Sequence, residues 1–170
     1  MDDRQFAFLR DLTNAPGPSG FEGPARAIWR ASVREFAADV STDNLGSVTA
    51  VVNPSGSPRV MLAGHIDEIG LMISSIDDKG FLFFVPIGGH DPVILVGQRV
   101  HVHGAQGPIL GVLGRRPAHF MRGDDRKEAV EIKDLWIDIG AADKAETEKL
   151  VRIGDPVTFA WGWNGSEAIC

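Results

Sequence analysis

The residues of this chain best suited to chemistry stand together at Gly64-His65-Ile66-Asp67-Glu68. A neutral imidazole is a nitrogen ligand for a borderline metal such as zinc or cobalt. On an extended backbone, an aspartate two residues on shares the histidine's face. Its carboxylate then accepts the second ring N–H, which fixes the tautomer and strengthens the other nitrogen as a donor. The spacing points to His65 as a metal ligand and Asp67 as its supporting carboxylate. By residue type alone, His65 reads equally well as a hydrogen-bonded strand-end histidine; the alternative for Asp67 is a turn residue. Glu68 points to the opposite face of an extended chain. It reads either as a solvent-facing or interdomain carboxylate or as part of the site.

Other candidates are weaker. His101 and His103 are also two apart, a spacing open to a ligand pair, but they read as the polar face of an ordinary strand. His90 reads as a loop residue. Asp43-Asn44-Leu45-Gly46 and Asp77-Asp78-Lys79-Gly80 are turns, lacking the ligand run of an EF-hand or the helix start of a phosphate loop. Gly111-Val112-Leu113-Gly114 is no nucleotide fingerprint. No serine sits in a nucleophile elbow, and the single cysteine, Cys170, has no partner for a disulfide or a metal cluster.

The elements that must position His65 follow from hydrophobic spacing. Residues 3–14 predict a helix with Phe6, Leu9 and Leu12 on one face and Asp2 or Asp3 as cap. After the breaker-rich Ala15 to Gly20 loop, Ser19 and Glu22 match a capping box for a second helix reaching about Ala38. Its expected buried stripe is Ile28, Trp29, Val33 and Phe36. Short strands are expected at Val40 to Thr42 and Ser47 to Val52. Arg59 to Gly64 is expected to be a buried strand that delivers His65. From Ile69 the texture changes to short β-rich segments separated by glycine turns, which suggests a small barrel or sandwich. A helix at Ala142 to Val151 and a strand at Pro156 to Phe159 complete the pattern.

Composition bounds the function. The chain has 170 residues, 44% hydrophobic and 24% charged, with a formal net charge of -6. This is ordinary for a globular protein with a real core. The acidic balance and the lack of any sustained basic patch argue against nucleic acid as a partner. No apolar run approaches the roughly 20 residues of a membrane span. The acidic start, Met1-Asp2-Asp3-Arg4, is unlike a signal peptide, and cysteine usage fits a reducing cytosol, so the expected location is cytoplasmic.

A set of short motifs, in order and at consistent spacing, resembles the M42 aminopeptidases. This is the glutamyl-aminopeptidase-like, tetrahedral family, some of whose members carry the label endoglucanase or cellulase M. The motifs are Ser19-Gly20-Phe21-Glu22, Asp43-Asn44-Leu45-Gly46 and Ala63-Gly64-His65-Ile66-Asp67-Glu68-Ile69-Gly70-Leu71-Met72. Then come Pro86-Ile87-Gly88-Gly89, Leu95-Val96-Gly97-Gln98-Arg99-Val100 and Pro117-Ala118-His119. Asp134-Leu135-Trp136-Ile137-Asp138-Ile139-Gly140 and Gly154-Asp155-Pro156-Val157 complete the set.

The resemblance implies an α/β fold. A zinc-peptidase-like catalytic domain would be interrupted by an all-β, PDZ-like or barrel dimerisation domain. Residues 1–68 would belong to the former, 69–160 to the latter, and 161–170 to an aberrant tail. It also implies removal of N-terminal residues from peptides at two divalent ions, zinc or cobalt. His65 would be one ligand and Asp67 the residue that supports it. A homo-oligomer built from dimers, with a dodecamer as one size open to it, would be expected. His119 matches a family motif, with a place near the site or at a subunit contact. The family's general base, bridging aspartate, glutamate pair and final histidine follow the Gly-Asp-Pro strand. Ala160 to Cys170 does not match that lead-in. The expectation is a truncated or frameshifted product without catalysis of its own, left as a fragment or oligomerisation module with exposed sheet edge and a tendency to self-associate.

Overall fold

The structure, a computed structural model, describes residues 1–117 and 129–163. It divides into two compact units: Met1–Glu68 with the segment from Gly162, and Ile69–Trp161.

In the first unit, α1 spans Asp3–Asn14. Asp2 caps it, accepting from the Gln5 amide at 2.8 Å while the Gln5 side chain accepts from the Asp2 amide at 3.1 Å. This reciprocal pair satisfies two donors that a helix start otherwise leaves open. Phe6 and Leu12 are half-buried, and Phe6 packs on Trp163 with ring centroids 5.1 Å apart. Asn14 and the Trp163 backbone exchange two hydrogen bonds of 2.7 Å each.

Helix α2 spans Gly23–Val33, with Pro24 in its first turn and Ala25 and Val33 buried. The sequence pattern predicts a longer helix, a Ser19–Glu22 box and a buried Phe36; the structure corrects all three. The helix stops at Val33 because residues 34–38 turn to bring the chain into a sheet, where the Ala38 amide bonds the Val51 carbonyl at 2.8 Å. Phe36 lies on that turn and is 63% exposed. The Ser19 hydroxyl is engaged elsewhere, and the Glu22 carboxylate accepts from the Gly20 amide at 2.6 Å.

Strands β1 (Asp39–Thr42) and β2 (Val48–Val51) pair antiparallel. Asp43 builds their turn, its Oδ1 accepting from the Leu45 and Ser47 amides at 2.9 and 2.8 Å. The expected buried strand at Arg59 to Gly64 is absent. Val60, Met61 and Leu62 are 78%, 86% and 95% exposed. An apolar run becomes a buried strand only beside hydrogen-bonding neighbours. No described segment pairs with residues 59–64. Backbone pairing resumes at Glu68, which forms a parallel bridge with Pro18.

The second unit is a closed antiparallel barrel. Its strands are β3 (Gly70–Ile76), β4 (Leu82–Ile87), β5 (Arg99–Gly104), β6 (Gly107–Arg115), β7 (Leu135–Asp138) and β8 (Pro156–Phe159). Around the barrel they run β3-β4-β7-β6-β5-β8, with β8 closing on β3. Alternation decides which side chains fill it. On β5, Val100 and Val102 point in, while Arg99, His101 and His103 face out. Leu71, Ile73, Leu82, Ile137 and Val157 join them in the sealed interior. Gly111 allows β6 and β7 to approach, since a Cβ there would meet Ile137 Cγ2 at 2.7 Å.

Two short helices decorate the barrel: α3 (Pro92–Leu95), capped by Asp91, and α4 (Lys144–Leu150), capped by Asp143. Thr147 of α4 is fully buried, and its hydroxyl donates to the Gly80 carbonyl at 3.0 Å. That bond ties α4 to the β3–β4 turn, which Asp77 organises by accepting from the Lys79 and Phe81 amides.

Candidate functional site

The site forms within the first unit, where the chain leaves the exposed 59–64 stretch and meets the Pro16 to Gly20 loop. Glu68 anchors this meeting. Its amide donates to the Gly17 carbonyl at 2.8 Å, and its Oε1 accepts from the Gly17 amide at 2.9 Å. Both hydrogen bonds serve the backbone of the loop, so Glu68 acts as a latch.

One residue earlier, Asp67 uses both carboxylate oxygens. Oδ1 lies 3.0 Å from His65 Nδ1, and Oδ2 accepts from the Ser19 hydroxyl at 2.5 Å. The Asp67 backbone carbonyl is a second neighbour of His65 Nδ1, at 3.1 Å. The Ser19 bond, and after it the His65 bond, hold the Asp67 carboxyl below its usual range. Asp67 is therefore ionised at neutral pH and only accepts. With two acceptors around Nδ1, that nitrogen is the donor, and in the neutral ring this tautomer leaves Nε2 with its lone pair. The His65 side chain is 87% exposed.

A neutral imidazole, held in one tautomer by a carboxylate and presenting the other nitrogen outward, is the donor a zinc- or cobalt-class ion requires. The residues present fit one corner of such a centre. Among the described residues, no group of three or more histidine, cysteine, aspartate and glutamate side chains comes together.

His90, His101 and His103 lie in the second unit. His90 binds the Gly70 carbonyl through Nε2 at 2.9 Å and packs against Phe159. His103 Nε2 meets the Thr158 hydroxyl at 2.8 Å. Burial, and then the charge of neighbouring His101, push His103 below the usual imidazole range; Asp155 acts in the opposite direction. His101 shares that outer face of β5. Gly111 to Gly114 lie inside β6. His119 and Cys170 lie outside the described residues. Ser19 is the site residue that sequence reasoning missed. It stands 48 positions from Asp67, and the local Ser19–Glu22 spacing offered it a different role.

A short helical and β layer carrying this His–Asp pair, followed by a closed barrel, is an arrangement with known counterparts. The chain belongs to the M42 glutamyl aminopeptidase family, whose model matches residues 46–165. It is 35% identical over 155 residues to the lysyl aminopeptidase of Pyrococcus furiosus, covering 89% of this chain and 44% of that protein. Among solved structures, it resembles the TET aminopeptidase of a marine sediment Thaumarchaeota archaeon. The TM-score is 0.88 and the identity 39%, over 92% of this chain and 45% of that one. The TET1 peptidase of Pyrococcus horikoshii, described as able to assemble into a tetrahedron or a large octahedral shell, matches with a TM-score of 0.80. Its identity is 35%, over 91% of this chain and 46% of that one. The chain thus spans less than half the length of these relatives. Among the described residues, no helix is long and apolar enough to cross a membrane.

Proposed function

We propose that the protein to which these residues belong removes N-terminal residues from peptides at a two-metal site. His65 would bind one ion through Nε2, and Asp67 would hold His65 in the tautomer that permits it. The observation that carries this reading is the 3.0 Å contact between His65 Nδ1 and an ionised Asp67 Oδ1.

When bound, paired divalent ions of the zinc or cobalt class supply an activated water and polarise the scissile carbonyl. The residues here have preparatory roles. Asp67 accepts from Nδ1 and fixes the orientation of the His65 ring. Glu68 is committed to Gly17 and is not the general base. Met1–Glu68 would form part of the catalytic domain. The barrel from Ile69 to about residue 160 would be a PDZ-like dimerisation domain of a homo-oligomer, a reading supported by the assemblies described for the Pyrococcus horikoshii relative.

A second reading concerns these 170 residues alone: the site among the described residues offers one histidine and one supporting carboxylate, which do not hold two ions, so the chain by itself would be an inactive oligomerisation piece. Both readings are tested with aminoacyl chromogenic substrates in added cobalt or zinc. The 170-residue chain should give no turnover above background. The longer protein should turn over substrate, and His65→Ala should reduce that by orders of magnitude. Turnover indifferent to His65→Ala would overturn the ligand assignment.

A further inference from the structure

The Asp67 carboxylate has one torsion left once its Cγ is placed, the rotation that exchanges its two oxygens. Its side chain is 37% exposed, so water competes for both. A single bond to His65 would leave that rotation loosely held. The second oxygen is taken by the Ser19 hydroxyl at 2.5 Å, at the short end of charge-assisted O–H···O⁻ bonds.

Ser19 is itself restrained from both sides. Before it, Gly17 is held by the two bonds to Glu68, and Pro18 bridges Glu68. After it, the Gly20 amide is held by the Glu22 carboxylate. Consecutive residues Asp67 and Glu68 therefore grip the same loop, one through its backbone and one through its hydroxyl.

We infer that Ser19 is a positioning residue for His65: its hydroxyl orients the Asp67 carboxylate, and the carboxylate sets the His65 tautomer. The inference rests on the reading of His65 as a metal ligand. The direction of each bond follows from the inventory of protons. Ser19 Oγ donates to Oδ2, and His65 Nδ1 faces two oxygens, Oδ1 and the Asp67 backbone carbonyl, of which the carbonyl can only accept, so Nδ1 donates. Aspartate sits in the middle of this relay. A nucleophilic serine would instead hand its proton to an imidazole nitrogen, so the same geometry gives Ser19 no nucleophilic role. Loss of the hydroxyl frees the carboxylate to turn. His65 then drifts toward the Nε2–H form, in which the metal-facing nitrogen is occupied by a proton.

The test reads the tautomer directly. Long-range proton–nitrogen correlation on the ¹⁵N-labelled 170-residue chain, at a pH well above the ordinary histidine value of about 6.5, shows which ring nitrogen of His65 carries hydrogen. The wild-type chain should show Nδ1–H dominant. Ser19→Ala should lower the ratio of Nδ1–H to Nε2–H on the order of fivefold, the scale of one net hydrogen bond. Ser19→Thr should preserve the ratio and Ser19→Val should lose it, since the two differ only by the hydroxyl. This pair decides the matter even if the alanine variant folds poorly. Equal tautomer ratios in the threonine and valine variants would overturn the inference. Asp67→Ala separates its failure from failure of the underlying reading. If Asp67→Ala shifts His65 while the serine variants do not, Ser19 has no positioning role and the His65–Asp67 pair stands. If Asp67→Ala also leaves His65 unchanged, the pair and the relay fall together.

Discussion

Glu68 and Gly17 hold each other by two hydrogen bonds, amide to carbonyl at 2.8 Å and amide to carboxylate at 2.9 Å. The consequence is a loop delivered to the residues that flank His65. Glu68→Ala removes the acceptor of the Gly17 amide, and Glu68→Gln keeps an oxygen there. Amide exchange at Gly17 should speed up roughly fivefold in the alanine variant, as for about 1 kcal/mol of lost local stability. It should change little in the glutamine variant. Unchanged exchange in Glu68→Ala would remove the latch from this description.

The barrel interior predicts a sharp contrast between faces of neighbouring strands. Ile137 of β7 is fully buried, whereas Leu110 of β6 is 54% exposed. Ile137→Ala should cost about 2–5 kcal/mol in urea unfolding, for lost transfer energy plus a cavity that the closed sheet cannot collapse. Leu110→Ala should stay within about 0.5 kcal/mol.

Thr147 is the buried polar group of α4, donating to the Gly80 carbonyl at 3.0 Å. Thr147→Val keeps shape and removes the donor. The expected cost is about 1–3 kcal/mol, because the hydroxyl is lost and a carbonyl is left without it. Thermal unfolding checks this, and a shift within error would show that water replaces the hydroxyl.

His103 makes stability depend on pH. Its folded value lies below the unfolded one, chiefly through burial and then through His101. The unfolded chain therefore binds the proton first. Stability is fully present above the ordinary histidine value of about 6.5 and is lost as pH falls from there through the lower folded value. The urea midpoint should drop between pH 7.5 and pH 5, and His103→Asn should flatten that drop. An equal drop in the variant would assign it to other groups.

The exposed Val60-Met61-Leu62 run predicts a surface effect without a folding effect. Leu62→Asp should leave thermal stability within about 0.5 kcal/mol, since Leu62 is 95% exposed. Light scattering should show less self-association, because a charge interrupts an apolar stretch open to other chains. A large loss of stability would show that the segment is packed in solution.

What the sequence determined by itself was local. A helix cap at Asp2 or Asp3 and the Asp43 and Asp77 turns use hydrogen bonds between residues a few positions apart, so residue type and spacing suffice to place them; the structure chose Asp2, paired with Gln5. The same holds for the alternation that sends Val100 and Val102 inward and His101 and His103 outward on β5. His65 and Asp67 were legible as a pair because two residues of backbone hold them within reach of each other. Family membership was legible because many short motifs recur in order. The tertiary structure decided everything that depends on a distant partner. Ser19 was readable as a helix cap until a carboxylate 48 residues away claimed its hydroxyl. Glu68 acquired a role only when Gly17 lay beside it. The circular order of the barrel, with β8 closing on β3 and β7 set between β4 and β6, is absent from strand order along the chain. Val60 to Leu62 carry the composition of a buried strand, yet burial is a property of neighbours, and the described residues provide none. Local spacing encodes which bonds a segment is able to make; only the closure of long loops decides which of them it does make.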